Sequence, residues 1–480
     1  PAVEVLDANV TNGHADCLVL RNVDFRSAAD QSSYTTQFKQ GSVDLTHEFS
    51  DVFKARVIAG MSESTNFTQG LLVEFNRMDS PGSFVYDERG DGKMPIIDFG
   101  FDAANAANWE VVKGFSAIRH YQRFVKNTYK QAKADFDWQV NEELNLGFGA
   151  NYRKFGFETE LWERNNDLLN PTLKEAGVTT SSVARTIQFG QGLNVPDGTM
   201  TSFIVPSISG FQQLFDFTCN CINKWGDWRL TNKRNGGREN FAVQEEDLGF
   251  YFQFDWNTEL FGRPFRGNAG TRVAITDVTS NGSTPAGRPI VGTNRYTDYL
   301  PSMNLVYEPV DDVLVRFGAS KVMARPLLGN LSPSISAISV PNTGATDGAS
   351  LTIGNPQLAP FRSTNLDASI EWYFAPGGLL SIAGFQKQIE SFPQTVLFAG
   401  PLSNFADAET IAAIRAQFTN ANQIAYLDAN RPFVARQFRD APGGWLRGFE
   451  VSFQMDFTFL PGFLKDFGAQ VYHTQIASEL

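Results

Sequence analysis

Apolar and polar residues alternate with a period of two along much of this chain. From Phe449 to Phe459 every odd position is apolar, while Glu450, Ser452, Gln454, Asp456 and Thr458 fill the even ones. A helix would smear that pattern around its circumference, so the segment reads as a strand with two chemically different faces. The same alternation marks Leu248–Trp256, Leu366–Phe374, Val43–Phe49 and Leu144–Tyr152. The strands pair across short connections at Asp51, Asn141-Glu142-Glu143, Pro309-Val310-Asp311, Pro376-Gly377-Gly378 and Pro461-Gly462. Proline and glycine set turn dihedrals there and would break a central strand. Between the pairs lie long polar stretches at 62–119, 160–241, 324–361 and 393–430.

This asymmetry decides the fold class. Compact soluble sandwiches rarely alternate tight turns with loops of dozens of residues. An outer-membrane barrel does, with short periplasmic turns and long extracellular loops. Many strands reach the roughly ten tilted residues that a bilayer needs. The expected architecture is an all-β, transmembrane antiparallel β-barrel with fourteen to sixteen strands visible. The apolar face of 449–459 must meet lipid, because the other face carries Glu450 and Asp456, which lipid rejects at mid-depth. Trp138, Trp256, Phe374 and Phe459 sit near strand ends, the level at which amphipathic rings settle. A large soluble sandwich is the competing reading.

Composition narrows the field. The 480 residues carry 40 Lys+Arg against 52 Asp+Glu, a net charge of −12, which with no basic cluster excludes a nucleic-acid partner. No run approaches the 18 apolar residues of a spanning helix. The four histidines, His14, His47, His120 and His473, form no metalloprotease pair. Gly147-Phe148-Gly149 lacks a dinucleotide fingerprint's third glycine, and Gly92-Lys93 is not a phosphate loop. No catalytic residue, metal site or cofactor is therefore expected, and the chain is read as a non-enzyme. The acidic segment Asp87–Gly92 reads as a solvated turn in preference to a cation site. Cys219 and Cys221 flank one residue and are candidates for a loop disulfide in an oxidising compartment. No secretory signal precedes Asp16, and the last residues run out mid-strand. Both ends read as cut, with residues 1–480 an internal piece of one barrel domain.

Several segments carry a specific resemblance. Tyr299-Leu300-Pro301-Ser302-Met303-Asn304-Leu305, Val315–Lys321 and Arg325-Pro326 resemble TonB-dependent outer-membrane receptors. So do Gly354-Asn355-Pro356-Gln357-Leu358-Ala359-Pro360 running to Asn365, then Glu371-Trp372-Tyr373-Phe374, Phe385-x-Lys387 and Gly448-Phe449-Glu450. The flavour is similar to the Xanthomonas- and Caulobacter-type subfamily, which is implicated in carbohydrate uptake. The resemblance implies a 22-stranded barrel of the cell outer membrane, occluded by an N-terminal plug on which the TonB–ExbB–ExbD complex pulls. The chain departs from the pattern in having no plug, no TonB box and no last several strands.

The resemblance further implies import of a bulky nutrient, an oligosaccharide by subfamily; a siderophore or metal-chelate receptor and a passive porin-like channel are the alternatives. Outer-membrane lipid, including lipopolysaccharide, is an expected partner. A saccharide site combines aromatic platforms with amides, carboxylates and arginines. Such residues concentrate at Phe215, Asn223, Trp225, Asp227, Trp228 and Arg229. Trp162 and Trp445 mark two further clusters. For each ring the competing reading is packing of a long loop against itself.

Overall fold

The computed structural model describes residues 2–90, 94–195 and 197–479; Asp91, Gly92 and Lys93, part of the acidic segment and the glycine–lysine pair, lie outside them. Long antiparallel strands dominate: β1 (Val23–Ser50), β2 (Phe53–Ser80), β3 (Ile118–Gln139), β4 (Leu144–Arg164), β5 (Phe241–Leu260), β6 (Arg263–Ser283) and β7 (Pro289–Val310). They continue with β8 (Val313–Ala324), β9 (Phe361–Ala375), β10 (Gly378–Pro401), β11 (Pro432–Pro442), β12 (Trp445–Asp456) and β13 (Gly468–Glu479). Neighbours in sequence are neighbours in the sheet from β1 to β11, and β12 pairs with both β10 and β13. β10 pairs with β12 through Leu379–Gln388 and with β11 through Ser391–Pro401. β11 and β12 are thus one strand interrupted at Gly443-Gly444. A side chain at Gly443 would collide with the Ile389 carbonyl, at 2.0 Å, so the interruption requires glycine.

Direct opposition defines the two faces. One row crosses eight strands as Leu144, Trp256, Gly267, Leu305, Phe317, Ala368, Gly384 and Phe449. A second joins Val315, Ile370, Ile382 and Val451. Both rows are wholly apolar. One residue along, the opposite face reads Asn145, Asp255, Asn268, Asn304, Gly318 and Asp367. Arg316 and Glu371 pair on this polar face at 2.8 Å. The two faces are those of a barrel wall with lipid on one side and an aqueous lumen on the other.

The apolar face has boundaries. Near the short turns it carries aromatic pairs, among them Phe136–Phe148, Trp256–Phe265 and Phe374–Phe453, at 5.2, 6.0 and 6.0 Å. Toward the long loops it ends in a charged row, Lys154, Glu246, Asp277 and Arg295, directly opposed on β4 to β7. Lys154 pairs with Glu246 at 2.7 Å and Arg295 with Asp277 at 3.5 Å.

Several expected boundaries move. β2 continues to Ser80, so 62–80 is strand where a loop was expected, and β4 runs on to Arg164. Pro309 and Val310 lie within β7, and the turn is Asp311-Asp312, with Asp312 at φ 62°. β12 stops at Asp456, so Phe457 and Phe459 leave the strand although Phe449 to Met455 keep their face. A turn absent from the sequence reading joins β5 to β6 at Phe261-Gly262, φ 56° and 72°. Positive φ at both residues is the hairpin geometry that matches strand twist.

The chain divides into two compact units. The first comprises 1–36, 66–124 and 160–234, and the second 37–65, 125–159 and 235–480. The reason is apolar content in the long loops. In the first unit, Val73, Phe75, Trp109, Ile118, Phe211, Phe215, Phe217 and Trp228 form a buried core. In the second, loop segments fold into α2 (Ala408–Arg415) and α3 (Ala421–Asp428), around a core of Val340, Leu351, Ile414, Tyr426 and Phe433.

Candidate functional site

The aromatic cluster expected to bind ligand lies in the first unit, after α1 (Ile208–Phe215). Ser207 caps this short helix by accepting from the Gly210 N–H, and Asp216 ends it at φ 50°. Cys219 and Cys221 are joined in a disulfide, with Cα atoms 5.2 Å apart. A tight hairpin follows, pairing Ile222 with Asp227 and Asn223 with Gly226. Its tip presents Lys224 and Trp225, the ammonium 4.6 Å from the indole centroid.

Two of the expected platforms are not available to a ligand. Trp228 and Phe215 are both fully buried. Trp228 has the Arg164 guanidinium over one face at 4.1 Å and lies beside Phe215 and Phe217 at 6.3 and 6.2 Å. Arg164 is itself fixed, donating to the Ile118 carbonyl at 2.6 Å and to Asn170 Oδ1 at 2.9 Å. The rings pack the loop, because a segment of this length orders only around apolar burial of its own. Asn223 is likewise committed: its Nδ2 donates to the Phe215 carbonyl at 2.9 Å. Its Oδ1 accepts from the Trp225 N–H at 2.8 Å and from Trp228 Nε1 at 2.9 Å. These three residues are corrected from ligand contacts to loop structure.

Trp445 stands in a different setting. It is paired with Gln388 four residues from Phe449, which places it on the apolar face of the sheet. Arg447 covers its ring at 4.2 Å and Glu479 accepts from its Nε1 at 3.2 Å. A tryptophan with an ionic partner at the end of a lipid-facing row has the character of an interfacial anchor.

What stays open to solvent is smaller. Trp225 is half-buried, seated edge-on against Phe215 at 5.6 Å. Asp227 and Arg229 are exposed and paired, Arg229 donating through Nε and Nη2 at 2.9 and 2.7 Å. The Arg229 side chain and its N–H hold the Asp227 carboxyl down at about 2, so Asp227 is an anion at any physiological pH. Trp162 is half-buried on β4, and its neighbour Glu163 accepts from Arg234 at 3.0 Å. Burial works against the nearby Asp167 carboxylate, but the charges of Arg234 and Arg119 outweigh it and lower its pKa. What remains on this hairpin is a half-open aromatic ring and, two to four residues along the chain, an exposed carboxylate–guanidinium pair, residue types suited to non-covalent recognition of a polar ligand with a flat apolar side.

Sequence reasoning missed two residues that organise charge. Arg164, which holds Trp228 and the Ile118 carbonyl, carries no motif that singles it out. Arg325, named only as part of a motif, pairs with Glu245 and Asp247 in the second unit.

Comparison with known proteins places the chain. Residues 8–475 match the family described as TonB dependent receptor-like, beta-barrel, and the chain belongs to this family. It is accordingly an all-β barrel protein of the outer membrane. Solved structures that resemble it include the copper transporter OprC, at 10% identity over 99% of this chain and 60% of that one, TM-score 0.38. The FrpB iron transporter from Neisseria meningitidis is similar at 10% identity over 96% and 56%, TM-score 0.36. The ferric yersiniabactin uptake receptor FyuA from Yersinia pestis is similar at 9% over 96% and 58%, TM-score 0.35. The chain spans about 60% of the length of these structures. No curated protein matches it.

Proposed function

We propose that this chain forms the barrel wall of an outer-membrane receptor that imports an oligosaccharide, energised by the TonB–ExbB–ExbD complex acting on a plug. The chain's role is transport and not catalysis. The observation that carries the substrate class is the hairpin: the Trp225 ring at its tip is half open, and Asp227 and Arg229, two and four residues further along the chain, are exposed and paired. A pyranose has an apolar face that stacks on such a ring and hydroxyls that bond to such a pair. Subfamily resemblance supports a saccharide. Outer-leaflet lipid, lipopolysaccharide included, is the expected neighbour of the charged row from Lys154 to Arg295.

The test is titration calorimetry of the intact receptor against maltodextrins, chito-oligosaccharides and ferric siderophores. Saccharide binding that weakens about five- to a hundredfold in Trp225→Ala supports the reading. Tight binding of a ferric chelate with no saccharide response overturns the cargo and leaves the receptor class standing. Uptake that persists without TonB would favour a passive channel.

A further inference from the structure

The lipid-facing side of β3 and β4 ends in cations where it nears the long loops. These two neighbouring strands keep one register along their length. The Val140 N–H donates to the Leu144 carbonyl at 2.9 Å, Phe136 stacks on Phe148 at 5.2 Å, and Tyr129 lies against Phe155 at 4.8 Å. A Cβ added at Gly156 would lie 2.5 Å from the Thr128 hydroxyl. The same register sets Lys130 directly opposite Lys154. Both share the face of Phe136 and Phe148, since each lies an even number of residues from its ring along the strand. Like charges directly opposed across a sheet repel, so this pair calls for an anion.

The protein supplies only part of one. The Lys154 ammonium lies 2.7 Å from Glu246, which also accepts from the Tyr152 hydroxyl at 3.2 Å. Asp277 is taken by Arg295 at 3.5 Å. Nearer the loops on the same face, Lys126 pairs with Glu63 at 2.8 Å and has Glu158 opposite it in the same register. Lys130 is left over. It is exposed, and its ammonium has no carboxylate or other hydrogen-bond partner among the described residues. The row Lys130, Lys154, Glu246, Asp277 and Arg295 therefore carries one cation too many, and the surplus stands at Lys130, where the apolar wall ends.

We propose that Lys130 and Lys154 form a binding site for a phosphate of the outer-leaflet glycolipid, lipopolysaccharide. Charge argues for the anion: two opposed ammonium groups, one of them unpaired, on a lipid-facing surface. Continuity argues for its source, because the pair ends the apolar wall and meets the phosphates attached to the acyl chains that cover that wall. A lone ammonium beside hydrocarbon is costly, and the long lysine stem lets it rise to the level of the headgroups. Lys154 then divides its bonds between Glu246 and the lipid. The inference rests on the reading of this wall as outer-membrane barrel, names a lipid site on it, and holds for any cargo.

Native mass spectrometry of the intact receptor in detergent tests it, with lipid A carrying or lacking its phosphates as the probe. A chelator is present, so that divalent ions cannot bridge phosphate to Glu246. Lys130→Gln is expected to weaken binding of the phosphorylated lipid about fivefold, and Lys130→Gln with Lys154→Gln about thirtyfold. Lys130→Arg should retain binding, and the dephosphorylated lipid should bind all variants alike. Glu246→Gln, which releases Lys154, should strengthen binding, a change of sign that mere damage to the wall would not give. Equal losses for both lipids in Lys130→Gln overturn the phosphate site, because the contact would then be with acyl chains. Unchanged binding in the double variant overturns it as well. Saccharide calorimetry reads a different part of the molecule, so the failure of either experiment leaves the other standing.

Discussion

Replacing Trp228 with alanine should damage the loop body of the first unit before it affects any ligand. The ring is fully buried, and removing a buried tryptophan costs about 3–5 kcal/mol in transfer and cavity terms. The indole also donates to Asn223 at 2.9 Å, a bond worth about 1 kcal/mol. The Arg164 guanidinium stacked at 4.1 Å adds about 1 kcal/mol or more. These contributions overlap, so a loss of about 5 kcal/mol is the working figure. That shifts the local folding equilibrium by between three and four powers of ten, roughly, against a total of about 5–15 kcal/mol for an ordinary domain. Limited proteolysis of the purified receptor reads it: cleavage within 165–234 should rise sharply. The barrel should keep its resistance to unfolding in detergent, because Trp228 contributes to no strand of the wall. A variant with unaltered cleavage and only weakened saccharide binding would refute the reasoning and restore Trp228 as a platform.

Other expectations follow from the same structure. Trp225→Ala should leave proteolysis of 165–234 nearly unchanged, since the ring is only half-buried at a hairpin tip. Ile382→Arg places a cation in an apolar row between Ile370 and Val451; a loss of about 2–4 kcal/mol is expected from reversible folding into vesicles. Reduction of Cys219–Cys221 should change thermal stability little, because the bridge closes a loop of only two residues' separation. Asp407 caps α2 and pairs with Arg288 at 2.7 Å. The Thr410 N–H and hydroxyl, then Arg288, lower its carboxyl to about 2. A lowered pKa contributes stability above the unfolded value and loses it as pH falls through the folded one. Protection factors in 408–415, which remove the intrinsic pH dependence of exchange, should therefore fall between about pH 4 and pH 2 and be flat above.

The wall was legible in the sequence because each strand states its own face. Glu450 and Asp456 interrupting Phe449 to Met455 decide which side meets lipid without reference to any neighbour. Strand ends were less legible. β2 runs on through Asn66 to Ser80, where the second face is covered by loop core and alternation fades; Val73, Glu74 and Phe75 are all buried. The burial of two of the candidate rings was illegible for a related reason. Phe215 and Trp228 have the composition of a sugar platform, and burial, which separates a platform from a core, depends on Arg164, Phe75 and Ile118 arriving from elsewhere in the chain. Trp445 was recoverable, since its parity with Phe449 was already visible.

The charged row at Lys154, Glu246, Asp277 and Arg295 has a consequence for where the molecule can reside. On β4, the apolar face runs from Leu144 to Tyr152 before Lys154 ends it. Nine residues at about 3.3 Å each, tilted by about 40°, give a height of about 23 Å. That is close to the thin hydrocarbon layer of a bacterial outer membrane. In a thicker bilayer, the aromatic end and the ionic end would compete, and one of them would be drawn into hydrocarbon. The protein therefore carries its own gauge of membrane thickness, which fixes its vertical position and disfavours residence in the inner membrane.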